Sequence, residues 1–156
     1  MDTALVFGII FAAIVITLLM FFGFRYINDW MGISCDSQIG QQVTNLKGAV
    51  KATLTLSKDA SQETRILIPG CIKKVCFVDP DHPEIDNKEG GWVPNEFLMQ
   101  TVSSYRYNVV LIGSDDGIEG YEIQKFRPYV NFCLTSSEDV ILRNIGTLVE
   151  VTLPGF

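Results

Sequence analysis

Residues 3–24 read TALVFGIIFAAIVITLLMFFGF, a run of 22 residues without a charge, closed by Arg25. Crossing a bilayer core of about 30 Å as a helix takes roughly 20 apolar residues, so the run is long enough to span one. A buried core helix is the alternative, but such helices rarely stay apolar on every side for so long. Only Met1 and Asp2 precede the run, and no small-residue cleavage site follows it. It therefore reads as a retained signal anchor over residues 1–31, not as a cleaved secretory signal. Arg25, Tyr26 and Trp30 suit the membrane interface, where a ring can be half apolar and half wet.

The next stretch changes in kind. Ile39, Val43, Leu46, Val50 and Leu54 recur at intervals of three and four, which places them on one face of a helix. Gln41, Gln42, Asn45, Lys47 and Lys51 occupy much of the rest. Residues 32–57 are thus an amphipathic helical stalk, with a kink or short break expected at residues 32–36 and a capping role for Asp36 or Ser37. The apolar stripe needs cover, either from the chain's own following domain or from neighbouring copies.

Beyond a polar connector at residues 57–62 the pattern is one of strands. Apolar and β-branched runs occupy residues 64–68, 74–78, 107–112, 121–126, 129–135, 140–144 and 148–153, with residues 97–102 ambiguous. Turn-forming residues such as Pro69-Gly70, Asp115-Asp116-Gly117 and Asn144-Ile145-Gly146 separate them. Many short strands at this spacing indicate an antiparallel β-sandwich-like domain over residues 58–156. The expected fold class is α+β, an N-terminal transmembrane and amphipathic helical stalk followed by that domain.

A net charge of −6 and an isoelectric point near 4.7 argue against nucleic acid, which needs a basic face, and against a polybasic grip on anionic lipid. Four cysteines, Cys35, Cys71, Cys76 and Cys133, all follow the apolar run. Their even number suits two disulfides in an oxidising compartment. Buried thiols are an alternative, and so is zinc, although no second C-x₂₋₄-C pair accompanies Cys71 and Cys76 and His82 is the single histidine. Four cysteines allow three pairings. The favoured one joins Cys76 to Cys133, both in expected strands, and leaves Cys35 with Cys71. Arg25 alone would place the following domain in the cytoplasm; the cysteines argue for the extracytoplasmic side and outweigh it.

No residue pattern points to catalysis. There is no G-x-S-x-G elbow, no glycine-rich phosphate loop ahead of a helix, and no histidine beyond His82. The acidic segment Asp79–Glu96 (DPDHPEIDNKEGGWVPNE) offers Asp79, Asp81, Glu84, Asp86 and Glu89 as oxygen ligands of the sort calcium takes. It lacks the order of an EF-hand and reads first as a solvated loop. Trp92 within it is the aromatic most expected to be exposed, as a contact for a partner, although such a residue more often folds back to cover the domain core. No cofactor, metal or small-molecule substrate is expected.

An apolar N-terminal helix, an amphipathic continuation and a cysteine-bearing β-domain resemble, as an architecture, the type IV pilin-like proteins, the archaeal kind above all. The family's basic leader is absent here, and Ala4, Leu5 and Val6 stand where many members carry a glutamate. The resemblance implies a cell-surface filament subunit in which apolar helices bundle and heads face outward. The expected partners are the lipid bilayer and further copies of the chain, with the Ile39–Leu54 stripe setting register. The alternative functions are a monomeric anchored binding domain, with a partner or calcium at residues 79–96, and an accessory subunit of a membrane complex.

Overall fold

A computed structural model describes residues 3–85, 87 and 90–155, with the side chains of residues 3–7 and 24–34 outside that description. The chain begins with one α-helix, α1 (Thr3–Leu54). The break expected at residues 32–36 does not occur. Gly32 costs a helix interior only about 1 kcal/mol, and no proline stands nearby to remove a backbone donor. The chain divides into two compact units, Met1–Gln38 and Ile39–Phe156. The amphipathic stripe therefore belongs to the same unit as the strands, not to a separate stalk.

In the first unit, the described side chains run from Gly8 to Gly23. Among the described residues no helix is long and apolar enough to cross a membrane.

The second unit is built on two four-stranded sheets. One orders β1 (Ser61–Ile66), β7 (Glu138–Asn144), β8 (Val149–Thr152) and β5 (Phe126–Pro128); the other orders β4 (Ile118–Tyr121), β3 (Val109–Gly113), β2 (Ile72–Phe77) and β6 (Phe132–Leu134). All pairings are antiparallel except β5 with β8. The unit is α+β and sandwich-like. Val140 and Leu142 of β7 turn inward while Arg143 stays exposed, the alternation of a sheet with one wet face. Phe77 of β2 meets Phe126 of β5 across the sheets at 5.9 Å between ring centroids.

β2 departs from that alternation. Val75, Cys76, Phe77 and Val78 are all buried, because both faces of this sheet are covered. Phe77 faces the other sheet. On the opposite side Cys76, Val78 and Val110 pack with Trp92, Leu98 and Val102. Leu98 and Val102 belong to α2 (Glu96–Tyr105), so the ambiguous residues 97–102 are helical. Asn95 caps this helix, its side-chain oxygen accepting from the Leu98 amide. The residues expected to continue a strand from Tyr121 to Phe126 instead leave the sheet between β4 and β5.

The second half of α1 supplies a further wall of the core. Ile39, Val43, Leu46 and Val50 are 2–7% exposed. Ile39, Val43 and Leu46 line an apolar cavity of about 30 Å³ together with Ile66 of β1, Val75 and Phe77 of β2 and Leu111 of β3. The helix thus seals a side shared by both sheets. Four of the five stripe residues are covered by their own domain, and their side chains are not free to set register with neighbouring copies. Leu54, the fifth, is half-buried.

Candidate functional site

Two regions stand out, and they are physically opposite. The first is the apolar part of α1. Ile9, Phe11, Leu19, Met20 and Phe21 are 63–69% exposed, and Ile10, Ile14, Ile16, Leu18 and Phe22 are 51–57% exposed. These positions fall on every side of the helix, so no single face is turned toward a core. Thr17 is the one polar side chain between Gly8 and Gly23, and its hydroxyl donates to the Ala13 carbonyl at 2.8 Å. Apart from that hydroxyl and the backbone groups bonded within the helix, the surface is apolar, which a lipid or apolar protein environment tolerates and water does not. The side chains of Arg25, Tyr26 and Trp30, expected at the membrane interface, lie outside the described residues.

The second region is the described part of the segment from Asp79 to Asn95, which is stitched down, not loose. Its main brace is Asn131, itself 3% exposed. The Asn131 side-chain oxygen accepts the Asp79 amide at 2.7 Å, and its nitrogen donates to the carbonyls of His82 and Ile85 at 3.0 and 3.1 Å. Asn87 exchanges two backbone hydrogen bonds with Trp92, and its side chain reaches the Asn131 carbonyl. Trp92 is 1% exposed, and its indole N–H donates to the Pro83 carbonyl at 3.1 Å. Trp92 is thus not an exposed partner contact but the folded-back residue of the other reading: the indole fills the layer over β2, and the buried N–H finds a backbone acceptor.

Cysteine chemistry secures the same region. Cys76 of β2 and Cys133 of β6 stand opposite each other in register and form a disulfide, 57 residues apart in sequence. The Cys133 amide donates to the Gly90 carbonyl, tying the segment to the edge of β6. Cys35 and Cys71 are disulfide-bonded as well, and no cysteine is a free thiol among the described residues.

The acids of this segment do not converge. Asp81 pairs with Arg106 at 3.2 Å and Glu84 with His82 at 3.5 Å, while an Asp79 side-chain oxygen accepts the Asp81 amide. Asp86 and Glu89 lie outside the described residues. Among the described residues no group of three or more histidine, cysteine, aspartate or glutamate side chains is placed to hold a metal ion.

Two more buried asparagines act as Asn131 does. The Asn108 side chain makes three bonds to the backbone of Ile123 and Phe126. Asn144 of β7 donates to the Leu54 and Leu56 carbonyls at 3.4 and 2.9 Å, where α1 ends and its last acceptors lack helical partners. Sequence reasoning missed all three. The available signal was an amide inside an apolar neighbourhood, as in Tyr107-Asn108-Val109 and Val130-Asn131-Phe132, where only a buried backbone partner makes the residue tolerable.

No protein-family model, no curated protein and no solved structure matches this chain.

Proposed function

We propose that the chain is a membrane-anchored structural subunit of the cell surface. The apolar part of α1 is embedded in the bilayer and packs against the same part of neighbouring copies. The β-domain is carried on the extracytoplasmic side, as in a pilin-like filament subunit. The observation that supports this reading is the all-round exposure of hydrocarbon from Ile9 to Phe22. Exposed apolar patches of this extent mark surfaces that another apolar phase covers. The sequence continues the run from Thr3 to Phe24, which reaches the length that a bilayer requires.

Compartment follows from the sulfur chemistry. Two disulfides persist in an oxidising environment and are rare where glutathione keeps thiols reduced. Self-association must use the apolar part of α1, because Ile39, Val43, Leu46 and Val50 are already covered within the single chain.

Two measurements test the reading. Expressed in its native type of host, the chain should remain in the membrane pellet after alkaline carbonate extraction, and its head should be reachable by protease from the outside only. Purified in mild detergent, it should form discrete oligomers or filaments visible by electron microscopy. Release by carbonate would remove the anchor, and strictly monomeric behaviour at all concentrations would remove the subunit role.

A further inference from the structure

Each of the two sheets ends in two edge strands, and three of the four edges are blunted. β5 is three residues long and carries Pro128, which has no ladder donor. β6 is also three residues long, and its Cys133 amide is taken by the Gly90 carbonyl. β4 is four residues long with Gly120 in its interior. β1 is the exception. Its six residues, SQETRI, contain neither glycine nor proline, and among the described residues its one strand neighbour is β7. Among the described residues its backbone makes no hydrogen bond beyond the ladder to β7. In an antiparallel strand every other residue turns its N–H and C=O away from the neighbour. One side of β1 therefore presents a row of open donors and acceptors.

The edge is held in place and is charged. The Gln62 side chain donates to the Ala49 carbonyl of α1 at 3.1 Å, which pins the strand to its own helix. Ser61, Glu63 and Arg65 alternate with it and are exposed. Glu63 stands opposite Ile141 of β7 and makes no ion pair among the described residues. Arg65 stands opposite Asp139 and pairs with it at 3.6 Å. Charged side chains on an edge usually discourage pairing. Here the two charges are opposite in sign and two residues apart, so the outcome depends on register. Two copies that meet with Glu63 opposite Glu63, or Arg65 opposite Arg65, repel each other. With a two-fold axis at Thr64, Glu63 of each copy lies opposite Arg65 of the other.

We infer that β1 pairs antiparallel with β1 of a second copy about a two-fold axis at Thr64, so that one sheet runs on from head to head. Arg65 then lies between two carboxylates, Asp139 of its own β7 and Glu63 of the second copy. Its side chain is 62% exposed, and a guanidinium has five N–H donors, enough for both. The main-chain bonds along the open edge supply the affinity, and the charges choose the register. The contact is isologous, since each copy offers the same strand to the other. It concerns the heads alone, is separate from packing through the apolar part of α1, and does not rest on the anchoring reading.

The test uses the full chain in mild detergent and reads β1 itself by hydrogen exchange, because packing through α1 leaves these amides open. As concentration rises, alternate amides within residues 61–66 should become protected. Glu63→Arg and Arg65→Glu, each alone, set like charges opposite each other and should raise the concentration of half-protection about tenfold. An equimolar mixture of the two variants should restore protection, because every arginine then faces a glutamate. Thr64→Cys should give an oxidised dimer linked through that position, since this register sets Thr64 opposite itself. Amides of β1 that stay open at every concentration overturn the proposal, as does protection that either reversal leaves unchanged. So does a mixture that stays open although both variants melt at the wild-type temperature, or a Thr64→Cys chain that forms no linked dimer. Carbonate extraction scores the anchor separately, so failure of the anchoring reading and failure of the pairing are distinguishable.

Discussion

The two halves of α1 share one backbone and meet opposite fates. From Ile9 to Phe22 the large apolar side chains are exposed on every side; from Ile39 to Val50 the stripe is buried against two sheets. The difference lies in how the hydrocarbon is distributed. A narrow stripe leaves the other side of the helix free for Gln41, Asn45, Lys47 and Lys51, so one wall of a small domain can satisfy it. A helix apolar all round cannot be covered by one wall and needs a surrounding medium. The contrast separates a self-sufficient part of the molecule from a part whose environment must come from elsewhere.

The largest expected effect breaks the first half alone. Ile14→Lys with Leu18→Lys should cost about 6 kcal/mol of insertion, at about 3 kcal/mol per lysine near a helix centre. Carbonate extraction should then release the chain, while the melting curve of the head is unchanged. Next in size, Cys76→Ala with Cys133→Ala opens a loop with a sequence separation of 57 and should lower head stability by about 3–4 kcal/mol in urea titration. Membrane retention should not respond. A shift in retention here would mean that the two halves are not independent.

Leu46→Ala probes the buried stripe directly. A leucine 5% exposed beside an existing cavity should cost about 2–4 kcal/mol of head stability. A loss near zero would return the stripe to the surface and reopen it to neighbouring copies. Asn144→Ala, which leaves the Leu54 and Leu56 carbonyls without their donor, should cost about 1–3 kcal/mol and increase hydrogen exchange over the last turn of α1. The smallest effect has the opposite sign. An added Cβ at Gly48 meets nothing within 4 Å, so Gly48→Ala should stabilise the head by about 0.5–1 kcal/mol. Destabilisation of an assembled form by that change would show that the outer face of the helix is packed in the assembly.

The legible parts of the sequence were those set by local period and composition. The alternation around Val140 and Leu142 and the three-four spacing from Ile39 to Leu54 followed from the geometry of strand and helix. The cysteines, all placed after the apolar run, pointed to disulfides. What local reading misjudged had non-local causes. Trp92, flanked by two glycines and a proline, looks exposed until the face of β2 that it covers is in place. Residues 97–102 are helical because Asn95 caps them and because Leu98 and Val102 have a sheet to lie on. Gly32 looks like a break, yet a single glycine is too weak a perturbation to interrupt helix on both sides.

The sequence by itself determined that one stretch of this protein is apolar without a polar side, that an amphipathic helix follows it, and that strands come after. Those properties are periodic, and each residue carries its share independently of the rest. Only the tertiary structure decided that the stripe belongs to its own head and that three buried asparagines brace the turns. Each of these depends on residues far apart in the chain coming within hydrogen-bond or Coulomb range, a distance that no local pattern encodes.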